Sequence, residues 1–380
     1  MSSSGHAVKD ALRFVAHLLY LLLIFLILYL VLKSPPAKDV PKNISCKDDA
    51  ANRKLIKSGR LPKNVKPDSY FLSYSFTENM DTYNASTDIH VTILAQTKTI
   101  VLHSYHHEIL SVSLKNHRTH KFDASYTKIS EICFIQETKM MILKLNRQMG
   151  VGEQATISIL FRGNVSGSLN GIYSSVYVSK TNQTKKIIST QFQPDLARTA
   201  FPCFDEPSFK AVFVIKLSFP TKYKALSNAA ILKQVRNIVT KDLIDTATHS
   251  VEFKPTVLMS SYLVAFAIHD FDSVSTVTKS GTKVNVWLPS DGIEHGKFAI
   301  ELAPKVLETY ERLFNIPYQL EKLDLIGIPG FEAGAMENWG LITFRMTALL
   351  VNPKLSSTLT MQWVGQVIAH ELAHQVCIAF

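Results

Sequence analysis

The sequence predicts an α+β chain, rich in strands, with two folded parts behind one apolar N-terminal span. Three observations carry this. Between about residues 61 and 272, short runs that alternate apolar and polar residues are separated by polar or Gly-containing connections, the pattern of half-buried strands. Beyond about residue 273, strand-like runs are interspersed with helical apolar spacing. Residues 14–32 are apolar apart from His17 and two tyrosines. At 380 residues the chain is too long for one ordinary domain, and a hydrophobic fraction of 46% supplies ample material for cores.

The elements follow in order. Residues 1–13 read as a cytoplasmic tail and 14–32 as a transmembrane signal anchor. As a helix the span reaches about 28 Å, enough to cross a hydrocarbon core. It is longer than a signal-peptide core, and Ser34-Pro35-Pro36 follows it instead of a small-x-small cleavage site. Lysines and arginines flank it on both sides, so charge alone does not orient it. The glycosylation triplets starting at Asn43, Asn84, Asn164 and Asn182 all lie after it, which supports a single-pass type II protein with a lumenal or extracellular body. Plasma membrane and endoplasmic reticulum are both compatible with this. Residues 33–60, with three prolines and many charges, read as a stalk.

Residues 61–272 read as an antiparallel β-sheet or sandwich domain, with strands expected over 70–76, 89–94, 99–104, 140–145, 156–161, 172–178, 211–219 and 261–268. Residues 273–380 begin an α+β domain. A strand is expected over 284–288 and a helix over 298–314, with Pro304 kinking the helix or marking its start. Strands over 323–328 and 341–344 flank a Gly-rich segment. The last helix, from about 359, buries a stripe of Val364, Val367, Ile368 and Leu372.

The formal charge of +10 comes from dispersed Lys and Arg with no basic run interleaved with aromatics, which argues against nucleic-acid binding. Cys46, Cys133, Cys203 and Cys377 are far apart and show no CxxC spacing, so they define neither a disulfide framework nor a zinc ribbon. His103, His106, His107, His117 and His120 cluster in sequence; a second metal site and solvated histidines are the alternatives. Cys203 reads as a buried structural thiol. Asp205 and Glu206 are either a carboxylate pair or turn and packing residues.

Two segments carry chemistry. His370-Glu371-Leu372-Ala373-His374 places two imidazoles four residues apart, on one helical face, where both reach one cation. A catalytic zinc takes three protein ligands and a water, and Glu371 is placed to take that water's proton and pass it to a leaving amine. Two solvated histidines on a helix are the other reading. Upstream, Gly334-Ala335-Met336-Glu337-Asn338 lies between strands. There Glu337 can hold a peptide's free ammonium by a charge-assisted hydrogen bond, or it can be an exposed turn residue.

Together these segments resemble the gluzincin zinc aminopeptidases of the aminopeptidase N, oxytocinase and endoplasmic reticulum aminopeptidase type. Trp339–Thr343, the Thr190–Gln193 run, Ala197-Arg198, Ala200–Pro207 and Met259–Phe266 continue the likeness, which covers roughly residues 60–375. The resemblance implies an N-terminal β domain followed by a thermolysin-like catalytic domain, one zinc ion on His370 and His374, and Glu371 as the catalytic base. It implies that Gly334, Ala335, Met336, Glu337 and Asn338 line the substrate, that Gln193 helps hold the amine and that Gln191 borders the first side-chain pocket. Peptides with a free N-terminus are the implied substrates, and homo- and heterodimers are both compatible.

The sequence also departs from the family pattern. The implied third ligand is a glutamate on the next helix, and only six residues follow His374. The implied oxyanion-stabilising tyrosine would come later still. Residues 376–380 leave the pattern within one residue, as an alternative exon, a retained intron or a gene-model artefact would make them. Met346 stands where the family has glutamate. The expectation is a C-terminally truncated form without appreciable activity of its own. The competing expectation is an inactive membrane glycoprotein that binds peptides or a full-length partner.

Overall fold

The computed structural model describes residues 38–39, 45–117, 126–241 and 244–377. The expected tail and span, Asn43 and His120 lie outside these residues. Among the described residues no helix is long and apolar enough to cross a membrane.

The strands are β1 (Lys38–Asp39), β2 (Val65–Phe76), β3 (Thr82–Ile93), β4 (Thr97–His103), β5 (Glu108–His117), β6 (Ile129–Ile135), β7 (Met140–Met149), β8 (Gln154–Asn164), β9 (Gly171–Val178), β10 (Thr184–Gln191), β11 (Val212–Pro220), β12 (Lys224–Ser227), β13 (Ile231–Lys241), β14 (Ile244–Phe253), β15 (Phe266–His269), β16 (Asp272–Val277), β17 (Lys283–Leu288), β18 (Lys322–Ile328), β19 (Ala335–Met336) and β20 (Leu341–Arg345). The helices are α1 (Ala50–Ser58), α2 (Lys297–Phe314) and α3 (Thr358–Cys377).

The long strands of the largest sheet run in the order β5-β8-β3-β2-β11-β14-β13. In β2 the buried residues Tyr70, Leu72, Tyr74 and Phe76 alternate with more exposed ones, and a bulge between Pro67 and Ser69 resets the phase from Val65 and Pro67. The sheet is not wholly antiparallel, because β11 joins β2 in parallel. Their intervening chain crosses two smaller sheets, ordered β4-β7-β6 and β12-β15-β10-β9, and long crossovers of this kind permit parallel pairing. Residues 261–268 are not one strand: a 3-10 turn at Ser261–Leu263 precedes the short β15.

Within the segment read as a stalk, Ala50–Ser58 form helix α1. Asp49 caps α1 through the Asn52 N–H, and Gly59 ends it in the left-handed region. Cys46 and Cys133 form a disulfide across 87 residues of sequence, which corrects the reading that the cysteines define no framework. Sequence spacing hid the pair, because the segments, whose cysteines lie 87 residues apart, meet through the bridge of Ser45 to Phe134 and the Cys46 N–H bond to Phe134 O.

The C-terminal part is a five-stranded sheet, β16-β17-β18-β20-β19, with β17, β18 and β20 parallel and β19 antiparallel at the edge. Every residue of β18 is buried, as expected of a strand covered on both faces. Ile326, Ile328 and Leu341 belong to the core of the β domain. Leu323, Leu325, Ile342 and Phe344 form a second core with Ala303 and Leu307 of α2 and Val364, Ile368 and Leu372 of α3. Pro304 lies inside α2 and neither starts nor ends it. At its N-terminal end α3 leaves Leu359 and Trp363 largely exposed beside a groove of about 660 Å³ lined by Phe298, Leu302, Val306 and Met361.

Candidate active site

Helix α3 carries two rows of side chains, each one turn apart. His370 and His374 form the first, with their Nε2 atoms 3.1 Å apart and the rings nearly perpendicular. Glu371 and Gln375 form the second, and both are buried. The apolar stripe expected from the sequence sets this rotation, since Val364, Ile368 and Leu372 face the sheet.

Glu371 Oε2 is buried without a hydrogen-bond partner. Burial first, and then the nearby Glu337 carboxylate, push the Glu371 carboxyl up to about 8. Two facing imidazole nitrogens fit two positions on a divalent cation such as zinc, whose nitrogen ligands lie about 2.0–2.1 Å away. Among the described residues no third His, Cys, Asp or Glu joins the pair.

The segment 334–338 lies along the sheet edge. Ala335 and Met336 form β19, paired with Phe344 and Thr343, and Gly334 O accepts from Arg345 N at 2.9 Å. Gly334 is exposed, whereas the Met336 side chain is buried in the β-domain core, so Met336 presents only backbone to the edge. Asn338 is buried and donates to Thr343 Oγ1 at 3.3 Å. Glu337 is half-buried. Gln193 Nε2 donates to its Oε1 at 3.4 Å, so two sequence-expected residues meet across the two parts of the fold. The Tyr262 phenol is raised by burial and by the Glu337 carboxylate. Gln191 ends β10 with its Oε1 buried and unpartnered.

The segment is held by residues that the sequence reading missed. Gln375 Nε2 donates to Glu337 O at 2.8 Å, and its Oε1 accepts from Gly340 N at 2.9 Å. Asn228 Nδ2 donates to Trp339 O at 2.9 Å. Lys322 Nζ donates to Gly340 O at 2.7 Å and pairs with Asp324 Oδ2 at 2.7 Å. Burial lowers the Lys322 ammonium pKa, and Asp324 opposes that shift. Gln375 had a readable signal, being one turn beyond Glu371. Asn228 and Lys322 had none for this segment, because Trp339 and Gly340 are distant from them in sequence.

The other candidates fall elsewhere. Cys203 is a buried free thiol. Asp205 accepts from Arg198 Nε at 2.8 Å and from Ser261 Oγ at 2.7 Å, a packing role rather than a catalytic pair, and Glu206 accepts from Leu61 N at 2.6 Å. The described histidines of the sequence cluster separate: His103 is buried on β4, while His117 Nε2 meets Thr156 Oγ1 at 2.6 Å on another sheet. Asn84, Asn164 and Asn182 are exposed.

A strand-rich part followed by an α/β sheet bearing a His-Glu-x-x-His helix defines the class of metal-dependent hydrolase folds. The Peptidase M1 N-terminal domain family matches residues 66–263, and the Peptidase family M1 domain matches residues 298–377. The chain belongs to peptidase family M1. Endoplasmic reticulum aminopeptidase 1 of Homo sapiens is 40% identical over 316 residues, which make up 83% of this chain and 32% of that protein. Aminopeptidase M1-A of Oryza sativa subsp. japonica is 38% identical over 318 residues, 83% of this chain and 35% of that protein. Puromycin-sensitive aminopeptidase of Caenorhabditis elegans is 37% identical over 319 residues, 84% and 32%. The chain spans about a third of the length of these curated relatives.

Proposed function

We propose that this chain carries the recognition half and the metal helix of a membrane-anchored aminopeptidase, which removes N-terminal residues from peptides. The observation that supports it most is the meeting of edge strand and helix: Glu337, at the end of β19, sits against the row of Glu371 and Gln375. In this reading an extended peptide lies along the backbone of Gly334, Ala335 and Met336, using the free edge of the sheet. Its terminal ammonium meets Glu337, assisted by Gln193, with Asn338 holding the segment's shape and Gln191 bordering the first side chain.

His370 and His374 would hold zinc. When bound, the ion supplies Lewis acidity, polarising the scissile carbonyl and lowering the pKa of a water. Glu371, whose carboxyl is pushed up to about 8 without the ion, would have to give up its proton when the cation binds; as a carboxylate it would accept the proton of the attacking water and return it to the leaving amine. The reading takes 61–272 as the recognition domain and 273–380 as the start of the catalytic one.

The location proposed is the lumenal or extracellular side of a membrane, anchored by residues 14–32 and glycosylated at Asn43, Asn84, Asn164 and Asn182. The Cys46–Cys133 disulfide supports an oxidising compartment. Five of the relatives are named endoplasmic reticulum aminopeptidase 1 or 2.

A second reading has its own observation. Among the described residues no third His, Cys, Asp or Glu joins the two imidazoles, and such a pair holds zinc weakly. In this reading the chain is a peptide-binding glycoprotein without steady turnover. The test is zinc analysis of the purified chain, a leucyl-anilide assay, and binding of a leucyl peptide beside its N-acetylated twin. The free-amine peptide should bind more tightly, with no turnover. Stoichiometric zinc with steady turnover contradicts the second reading, and equal binding of the two peptides contradicts the first.

A further inference from the structure

We propose that Gln375 is a positioning residue that sets where Glu337 stands relative to the histidine pair, and so gives the chain its preference for a free amine. This rests on the amine-recognition reading of Glu337. The Gln375 side chain is 1% exposed. Its amide makes two bonds to the backbone of one short segment, donating to Glu337 O at 2.8 Å and accepting from Gly340 N at 2.9 Å. A neutral amide at the end of a two-methylene stem carries both functions on one planar group. A carboxylate in its place keeps the acceptor and loses the donor.

The two ends of the segment are held differently. The Gly340 end is fixed independently of Gln375. Lys322 Nζ reaches Gly340 O, and Asn228 Nδ2 reaches Trp339 O. Gly340 has φ +82, and a Cβ there would lie 2.2 Å from Asn228 O. Among the described residues, the Glu337 end is tied to the metal helix by the Gln375 donor, and its carboxylate accepts a long bond from the exposed Gln193 at 3.4 Å. Gln375 directly follows His374, so the same turn of α3 that aims the second imidazole also fixes the Glu337 backbone. The spacing between amine recognition and metal is therefore built into one helical turn.

The test uses the full chain and a C-terminally labelled leucyl peptide, free and N-acetylated, with affinities read by fluorescence anisotropy. Gln375→Met keeps the side-chain volume and removes both hydrogen bonds. Gln375→Leu also removes both hydrogen bonds and adds no charge, so a folded variant is available if either fails. The wild type should prefer the free amine by about tenfold, the scale of one charge-assisted bond, and each folded variant should bring the ratio to about one. A purely structural role lowers the melting temperature and leaves the ratio intact, and that result overturns the proposal. If the wild type shows no preference, the reading of Glu337 falls and the proposal falls with it. A preference in the wild type that both variants retain removes the proposal alone.

Discussion

Asp205 sits at the centre of a buried polar knot. Its Oδ2 takes the Arg198 Nε–H and the Arg198 backbone N–H, its Oδ1 takes the Ser261 hydroxyl, and its backbone oxygen takes Arg198 Nη2. Both side chains are about nine-tenths or more buried, so neither charge has water to fall back on. Removing Asp205 leaves the Arg198 guanidinium with the longer contact to half-exposed Asp195, at 3.6 Å, and breaking such a buried pair typically costs about 3–5 kcal/mol. Asp205→Ala should therefore lower the midpoint of urea unfolding sharply, whereas Glu206→Ala should move it less. Equal small shifts would contradict the assignment. At this scale the sequence was ambiguous for a physical reason: a carboxylate beside a strand boundary looks the same whether it faces substrate or an arginine. His370, Glu371 and His374 were readable because helical spacing is local. The Gln375 contact with Glu337 was not, because it joins a helix to an edge strand 38 residues away.

Elements were legible where one face is buried and the other is not. The alternation is regular in β2 from Tyr70 to Phe76 and throughout β11, and it marks both strands. Strand β13 escaped reading because Leu232, Val235 and Ile238 are exposed, so burial imposes no alternation there. The parallel pairing of β11 with β2 is set by a long crossover that leaves no local mark. The segment before β2 reads as a stalk in sequence because its helix is short and mostly exposed, and its anchor is covalent. The Cys46–Cys133 bond closes a loop of 87 residues, and Cys133 is fully buried. Loss of such a cross-link typically costs about 2–4 kcal/mol. Cys46→Ser should lower the unfolding midpoint under non-reducing conditions, and adding a reductant to the wild type should reproduce the shift. An unchanged midpoint in both experiments would contradict the bond's contribution.

On the scale of the whole molecule, two cores share the five-stranded sheet, and buried histidines make the fold sensitive to acid. Burial lowers His103 and His269 to about 3, from 6.5 when unfolded. The unfolded chain binds these protons first, so stability is full above pH 6.5 and falls as the pH drops through the window from 6.5 towards 3. Each histidine contributes up to about 1.4 kcal/mol per pH unit there. Urea midpoints should fall steadily between pH 6 and 4, and His269→Gln should flatten the slope; a flat profile in the wild type would contradict this.

The central claim is that Glu337 recognises the free end of a peptide beside the His370–His374 helix. The measurement that tests it most directly is the ratio of affinities for a free and an N-acetylated leucyl peptide, in the wild-type chain and in Glu337→Gln. The account predicts a preference of about tenfold or more for the free amine in the wild type, and its disappearance in Glu337→Gln with the melting temperature preserved. A preference that survives the substitution would contradict it.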